Sequence, residues 1–257
     1  MGPWALFPWR GDYPFDAETV ARQWDRLHLC DAEPRPDDPD LLQAWALYHA
    51  GEFERAAQAG EALGPAGFTV ACKATCIHAN YVERRERTRL AMFEAAAESA
   101  RRMTEAQPDH AGAWFWQGYA LGRYSQGISV AKALAQGLGQ RVRQSLEQAI
   151  ALQPRHADAH VALGLFHAEV IDKVGSLIAG MTYGARRDQA LAAFEQGLQL
   201  NPHSPIGLVE FAHGLLMLEG EPAQARADAL MQKAAAMQAA DAAERLSVEL
   251  ARMELVA

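Results

Sequence analysis

AGAWFWQGYALGRYSQ at 111–126 with VRQSLEQAIALQP at 142–154, then ADAHVALGLFHAEVID at 157–172 with ALAAFEQGLQLNP at 190–202, is one unit written twice. Setting Pro154 against Pro202 pairs Val142 with Ala190, Leu146 with Phe194, Ala149 with Gly197 and Leu152 with Leu200, while Gly118 falls on Gly164. Apolar residues in each copy recur three and four apart, which places them on one face of a helix. Each copy is therefore two helices joined by a turn. Such a unit cannot bury its apolar face alone and buries it against the next copy.

The same register extends outward from these copies. Ala96, Ala100, Met103, Ala106 and Pro108 repeat it before the first copy, and Leu208, Phe211, Ala212, Leu215 and Leu218 open a further unit after Pro202. Nearer the start, LLQAWALYHAG and EFERAAQAGEALG make a shorter hairpin, with Asp38-Pro39 as its helix start, Gly51 at its turn and Gly64-Pro65 as its stop. Asp16 can cap a helix carrying Val20, Trp24, Leu27 and His28 on one face. Trp4, Phe7, Trp9, Tyr13 and Phe15 in the first fifteen residues are too apolar to stay in water together, so this segment is expected to dock as an arm. At the other end, Asp241 and Glu244 read as a capping box for a helix striped with Leu246, Leu250 and Met253.

This pattern resembles the tetratricopeptide repeat (TPR) over about residues 40–240. The resemblance implies an all-α fold, a right-handed α-α superhelix of TPR-like helical hairpins with two elongated central hairpins. Residues 1–39 are then an N-terminal aromatic arm and helix, 40–240 the solenoid and 241–257 a C-terminal capping helix. Pro108, Pro154 and Pro202 are 46 and 48 residues apart, against a family period of about 34. The surplus falls at SQGISVAKALAQGLG (125–139) and IDKVGSLIAGMTYGA (171–185), where each first helix is expected to run on for about three more turns. KVGSLIAGMTYGA followed by ALAAFEQGLQLNP also resembles uncharacterised proteobacterial repeat proteins and, more distantly, the regulator-of-microtubule-dynamics family. That second resemblance implies a fold variant and does not carry microtubule binding to a chain with no evident basic tail.

In tetratricopeptide folds the first helix of each unit lines the concave face. The resemblance therefore implies a groove with Phe115, Trp116, Tyr119 and Arg123, then Leu165 and Glu169, then Glu210 and His213. Amphipathic aromatics beside charges suit a protein or peptide partner. The alternative is a small-molecule or lipid binder that uses the elongated helices at Ser125, Lys132, Asp172, Lys173 and Tyr183. An enzyme stands third, since the chain has no GxSxG, no glycine-rich phosphate loop and no HExxH. The expected function is a non-catalytic scaffold or adaptor with no cofactor.

Composition narrows the partners further. With 24 basic and 32 acidic residues the net charge is -8, which disfavours nucleic acid. Arg84, Arg85, Arg87, Arg89, Arg101 and Arg102 are interleaved with Glu83, Glu86, Glu94 and Glu98. Glu98 and Arg102 stand four apart, so a self-paired, solvated face is expected. Cys72 with Cys76, and His160 with His167, share helix faces without a third ligand; core residues rather than a metal site are expected. His110, His156 and His203 follow the three prolines and are expected to serve turns. Three cysteines, an odd number, suit a reducing compartment. No secretory signal is evident in the first fifteen residues, and no apolar run approaches the roughly 20 residues needed to span a bilayer. The expectation is a soluble cytoplasmic protein.

Overall fold

The computed structural model describes residues 3–256, and no strand occurs among them. The chain falls into two compact units. The first holds the residues up to His28, Glu33–Leu138 and Asp241–Ala243; the second holds Leu29–Ala32, Gly139–Ala240 and the residues from Glu244 onward. Stacked helical hairpins of TPR-like type build both.

In the first unit the helices are α1 (Ala17–Leu27), α2 (Pro39–His49), α3 (Phe53–Ala62), α4 (Phe68–Tyr81), α5 (Glu86–Ala106), α6 (Ala111–Gln126) and the short α7 (Val130–Ala135). Each packs on its neighbour from α1 through α6. Local chemistry sets the helix ends. Asp16 accepts a hydrogen bond from the Thr19 amide and Asp38 from the Asp40 and Leu41 amides, so α1 and α2 start on carboxylate caps. Gly51, at φ +81°, turns the chain between α2 and α3. A Cβ there would lie 2.5 Å from Phe7 Cδ1, so this glycine is also the seat of the arm's one buried ring, Phe7. Trp4 of the arm stacks on His78 of α4 at 4.5 Å.

The second unit contains α8 (Leu138–Leu152, its first residue in the other unit), α9 (Ala157–Val174), α10 (Ser176–Ile178) with a π-helical turn over Ala179–Tyr183, α11 (Arg187–Leu200), α12 (Pro205–Glu219), α13 (Gln224–Ala235) and α14 (Ala242–Glu254). Helix α9 packs on α11 and α12, and α12 packs on α13. Phe194, fully buried and stacked on Phe211 at 4.9 Å, centres a core with Val161, Leu165 and Leu215. Gly164 lets α9 approach it: a Cβ would sit 2.9 Å from the Phe194 ring and 3.0 Å from the Ala190 carbonyl oxygen. Gly164→Leu should therefore overpack this crossing and cost about 3 kcal/mol or more. Urea denaturation checks it, and a wild-type midpoint would refute the contact.

One cap recurs two residues after each proline of the repeat. His110 Nδ1 accepts from the Ala113 amide, His156 Nδ1 from the Ala159 amide, and Ser204 Oγ from the Gly207 amide. His110 and His156, expected to serve turns, thus cap the helices that follow, while Ser204 rather than His203 does so in the third copy. A second correspondence lies six residues after the first two prolines. Trp114 Nε1 donates to the Pro108 carbonyl and His160 Nε2 to the Pro154 carbonyl. His160 is consequently a partly exposed strap across a turn, not a core histidine. His167, on the other hand, is buried.

The two insertions differ from the expected continuous helices. Helix α6 stops at Gln126 before Gly127, and Ser129 caps α7 by accepting from the Lys132 amide. Helix α9 stops at Gly175, whose φ of +79° leaves the helical region. Both elongations are short separate helices, because glycine at the C-terminal boundary ends a helix more readily than it continues one.

Candidate functional site

On α6 the expected groove residues form one aromatic cluster. Phe115 and Trp116 meet edge-to-face at 4.8 Å, and Tyr119 lies 6.0 Å and 5.3 Å from them. Phe115 and Trp116 are each only 3% exposed, so their rings form a foundation and not an open lining. Tyr119 and Arg123 remain partly exposed, with the guanidinium 5.2 Å from the tyrosine ring, a cation–π arrangement. Arg123 also donates to Gln126.

In the second unit Leu165 is buried in the Phe194 core. Glu169 pairs with Lys173 at 3.9 Å on α9. On α12, His213 Nε2 donates to Glu254 at 2.6 Å while its Nδ1 lies 4.0 Å from the buried Glu210 carboxylate. Glu210 and then Glu254 favour the imidazolium and push the His213 pKa up to about 9, although Glu254 makes the shorter contact.

The residues expected of a small-ligand site do not converge within either unit. In the first, Ser125 donates to the Gly122 carbonyl of its own helix, and Lys132 Nζ lies 5.6 Å from the Tyr124 ring. In the second, Asp172 and Lys173 are exposed, and the Tyr183 carbonyl accepts from Arg143 at 2.8 Å. The insertion that carries Tyr183 holds Leu177, Ile178 and Met181 outward, at 76%, 54% and 82% exposure.

A further polar cluster in the first unit was not anticipated. His49 Nδ1 donates to Asp241 at 2.6 Å, and its Nε2 faces His28 Nε2 at 3.4 Å. All three residues are buried. His28 stacks on Trp24 at 3.8 Å, and the buried Lys73 of α4 points at the Trp45 and Tyr48 rings from 5.5 Å and 5.2 Å. Asp241 thus binds a buried imidazole of α2, a role the capping-box reading did not include. Glu244, its expected capping-box partner, accepts from the Ala240 amide. The available sequence signal was Lys73, a lone charge in the apolar run FTVACKATCIHA. Cys72 and Cys76 are buried, and burial pushes the Cys76 thiol pKa upward. Among the described residues no group of three His, Cys, Asp or Glu is arranged to hold a metal ion, and no helix is long and apolar enough to cross a membrane.

Comparison with known proteins agrees with this architecture. The family model described as Regulator of microtubule dynamics protein 1-3 matches residues 68–254. Among solved structures, a crystal structure of a thermophilic TPR protein from Thermus thermophilus superposes with a TM-score of 0.58 at 19% identity, covering 83% of this chain and 97% of that one. At that identity the likeness is one of fold. No curated protein matches the chain.

Proposed function

The chain belongs to the regulator of microtubule dynamics protein 1-3 family, and from that premise we propose that it is a non-catalytic TPR-like scaffold whose first helices read a protein or peptide partner. The observation that carries this reading is the Tyr119–Arg123 pair on α6. A partly exposed ring and guanidinium, seated on the buried Phe115 and Trp116, present contact area with little side-chain entropy left to lose. Glu169, Glu210 and His213 are the corresponding polar positions on the first helices of the second unit.

Truncating Tyr119 and Arg123 together to alanine should reduce partner recovery by about 10-fold or more, in the range of an interface hot spot. Helicity should stay at the wild-type level, because neither side chain is buried. Affinity capture from the native host, quantified by mass spectrometry, provides the readout; undiminished recovery would remove α6 from the interface. Trp116 is unsuitable for this test, since truncating a side chain 3% exposed unsettles the core itself.

The alternative reading, a binder of lipid or another small hydrophobic ligand, draws support from Leu177, Ile178 and Met181. Native mass spectrometry separates the two: a co-purifying polypeptide favours the scaffold, and a stoichiometric small molecule favours the alternative.

A further inference from the structure

The first unit carries a cleft of about 410 Å³ lined by α4, by α5 and by Glu61 near the end of α3. Its volume falls within the range of roughly 300–1,000 Å³ typical of small-molecule sites. Phe68, Ala71 and Thr75 of α4 line one part, and Ala96, Ser99, Arg102 and Met103 of α5 another. Three- and four-residue spacing places the α5 set on one stripe of that helix. Elsewhere α5 carries Glu94, Glu98, Arg101 and Glu105, the long charged side chains of a face turned to water. The cleft stripe is built of small residues, one methionine and one arginine.

The ion pairs of α5 single out that arginine. The sequence predicts pairing of Glu98 with Arg102, but Arg101 takes both Glu98, at 2.8 Å, and Glu105. The Arg102 guanidinium is left with no ion pair or hydrogen bond among the described residues, and it lines the cleft. Glu61, near the end of α3, also lines the cleft, and its carboxylate likewise has no such partner. The cleft therefore combines an apolar body with one unpaired cation and one unpaired anion contributed by different helices.

We propose that this cleft binds an apolar zwitterion of about dipeptide size. The ligand carboxylate meets the Arg102 guanidinium, whose fork matches two carboxylate oxygens. The ligand ammonium meets Glu61, and the apolar side chains lie against Phe68, Ala71 and Met103. A ligand with a single charge would make one charge-assisted contact where the zwitterion makes two. The site is separate from the α6 surface and does not depend on the scaffold reading.

The test uses the full chain and the probe peptide L-leucyl-L-phenylalanine, with its N-acetylated and C-amidated forms, by titration calorimetry. The free peptide should saturate one site, and each modified form should bind about 10-fold more weakly, the loss of one charge-assisted contact. Arg102→Ala should weaken the free peptide about 10-fold and leave the C-amidated form unchanged, while Glu61→Gln should weaken the free peptide and leave the N-acetylated form unchanged. Both side chains are exposed, so these variants should keep wild-type circular dichroism. No saturation by about 10 mM peptide, the weak end of measurable binding, would overturn the proposal. So would saturable binding indifferent to either substitution, or N-acetylated peptide binding as tightly as free peptide.

Discussion

Gly67→Ala is expected to destabilise the first unit by about 3 kcal/mol or more, at or above the upper end for overpacking a close contact. A Cβ on Gly67 would lie 2.7 Å from the Gly60 carbonyl carbon and 2.8 Å from its Cα, with the carbonyl oxygen nearer still. A Cβ on Gly60 would in turn lie 2.7 Å from the Gly67 carbonyl oxygen and 2.9 Å from the Ala71 nitrogen. The obstruction is backbone against backbone, so no rotamer change relieves it; α3 and α4 would have to separate. Gly67 itself has φ −89°, a value alanine adopts freely, so the cost is one of space and not of conformation. Gly64 offers the opposite case, with φ +62° and nothing within 4 Å of its Cβ position. Gly64→Ala should cost only about 1 kcal/mol, the usual penalty for a left-handed residue with a side chain. Urea unfolding of both variants gives the comparison, and equal losses would show that α3 and α4 do not cross where they are placed.

The glycines also mark what could be read in advance and what could not. Gly51 and Gly64 were legible as turn and stop, because a glycine after an apolar helical run has few other roles. The repeat was legible because Pro108, Pro154 and Pro202 hold a constant phase to the apolar positions around them. The Gly60–Gly67 contact was not, since periodicity says which face of a helix is buried but not how closely a neighbour approaches. Sequence reading failed at the insertions for a related reason. After Val130, AKALA is made of strong helix formers, so propensity alone could not show whether the stretch continues α6 or forms the separate α7.

At the candidate sites the limits were of two kinds. An aromatic residue on a helix has the same spacing whether it faces a groove or a neighbouring helix, so Phe115 and Trp116 looked available and are buried. Glu98 can reach Arg101 or Arg102 equally well by spacing, and only the packed structure distinguishes them. The His49–Asp241 bond joins residues 192 apart in sequence, beyond the reach of any local pattern.

Acid should weaken the fold between pH 6.5 and about 4 through two buried imidazoles, one in each unit. His78 and His167 are 1% and 2% exposed, and His78 Nε2 and His167 Nδ1 have no hydrogen-bond partner. Burial lowers the pKa of each from 6.5 to about 4. Around His78, Arg85 adds to this effect and Glu83 opposes it; around His167, Arg143 adds to it while Glu147 and Asp188 oppose it. Because the folded pKa lies below the unfolded one, the unfolded chain takes up the proton first as pH falls. Stability is therefore fully present above 6.5 and declines by about 1.4 kcal/mol per pH unit for each ring until the folded pKa is reached. Two other shifted groups act outside the upper part of this window. His213, raised to about 9, stabilises fully below 6.5 and loses that contribution only as pH rises through about 9. Glu83, held at about 2 by its hydrogen bond from Arg85, keeps its contribution above 4.5 and loses it as pH falls through about 2. His110, lowered chiefly by burial, acts in the same direction as the two rings and remains in every variant. Urea unfolding of His78→Phe and His167→Phe at pH 6.5, 5.5 and 4.5 isolates each ring, since phenylalanine keeps the planar shape and cannot be protonated. Each variant should lose about 1.4 kcal/mol per pH unit of the wild-type slope. An unchanged slope in either variant would mean that its imidazole takes up a proton in the folded state as readily as in the unfolded chain.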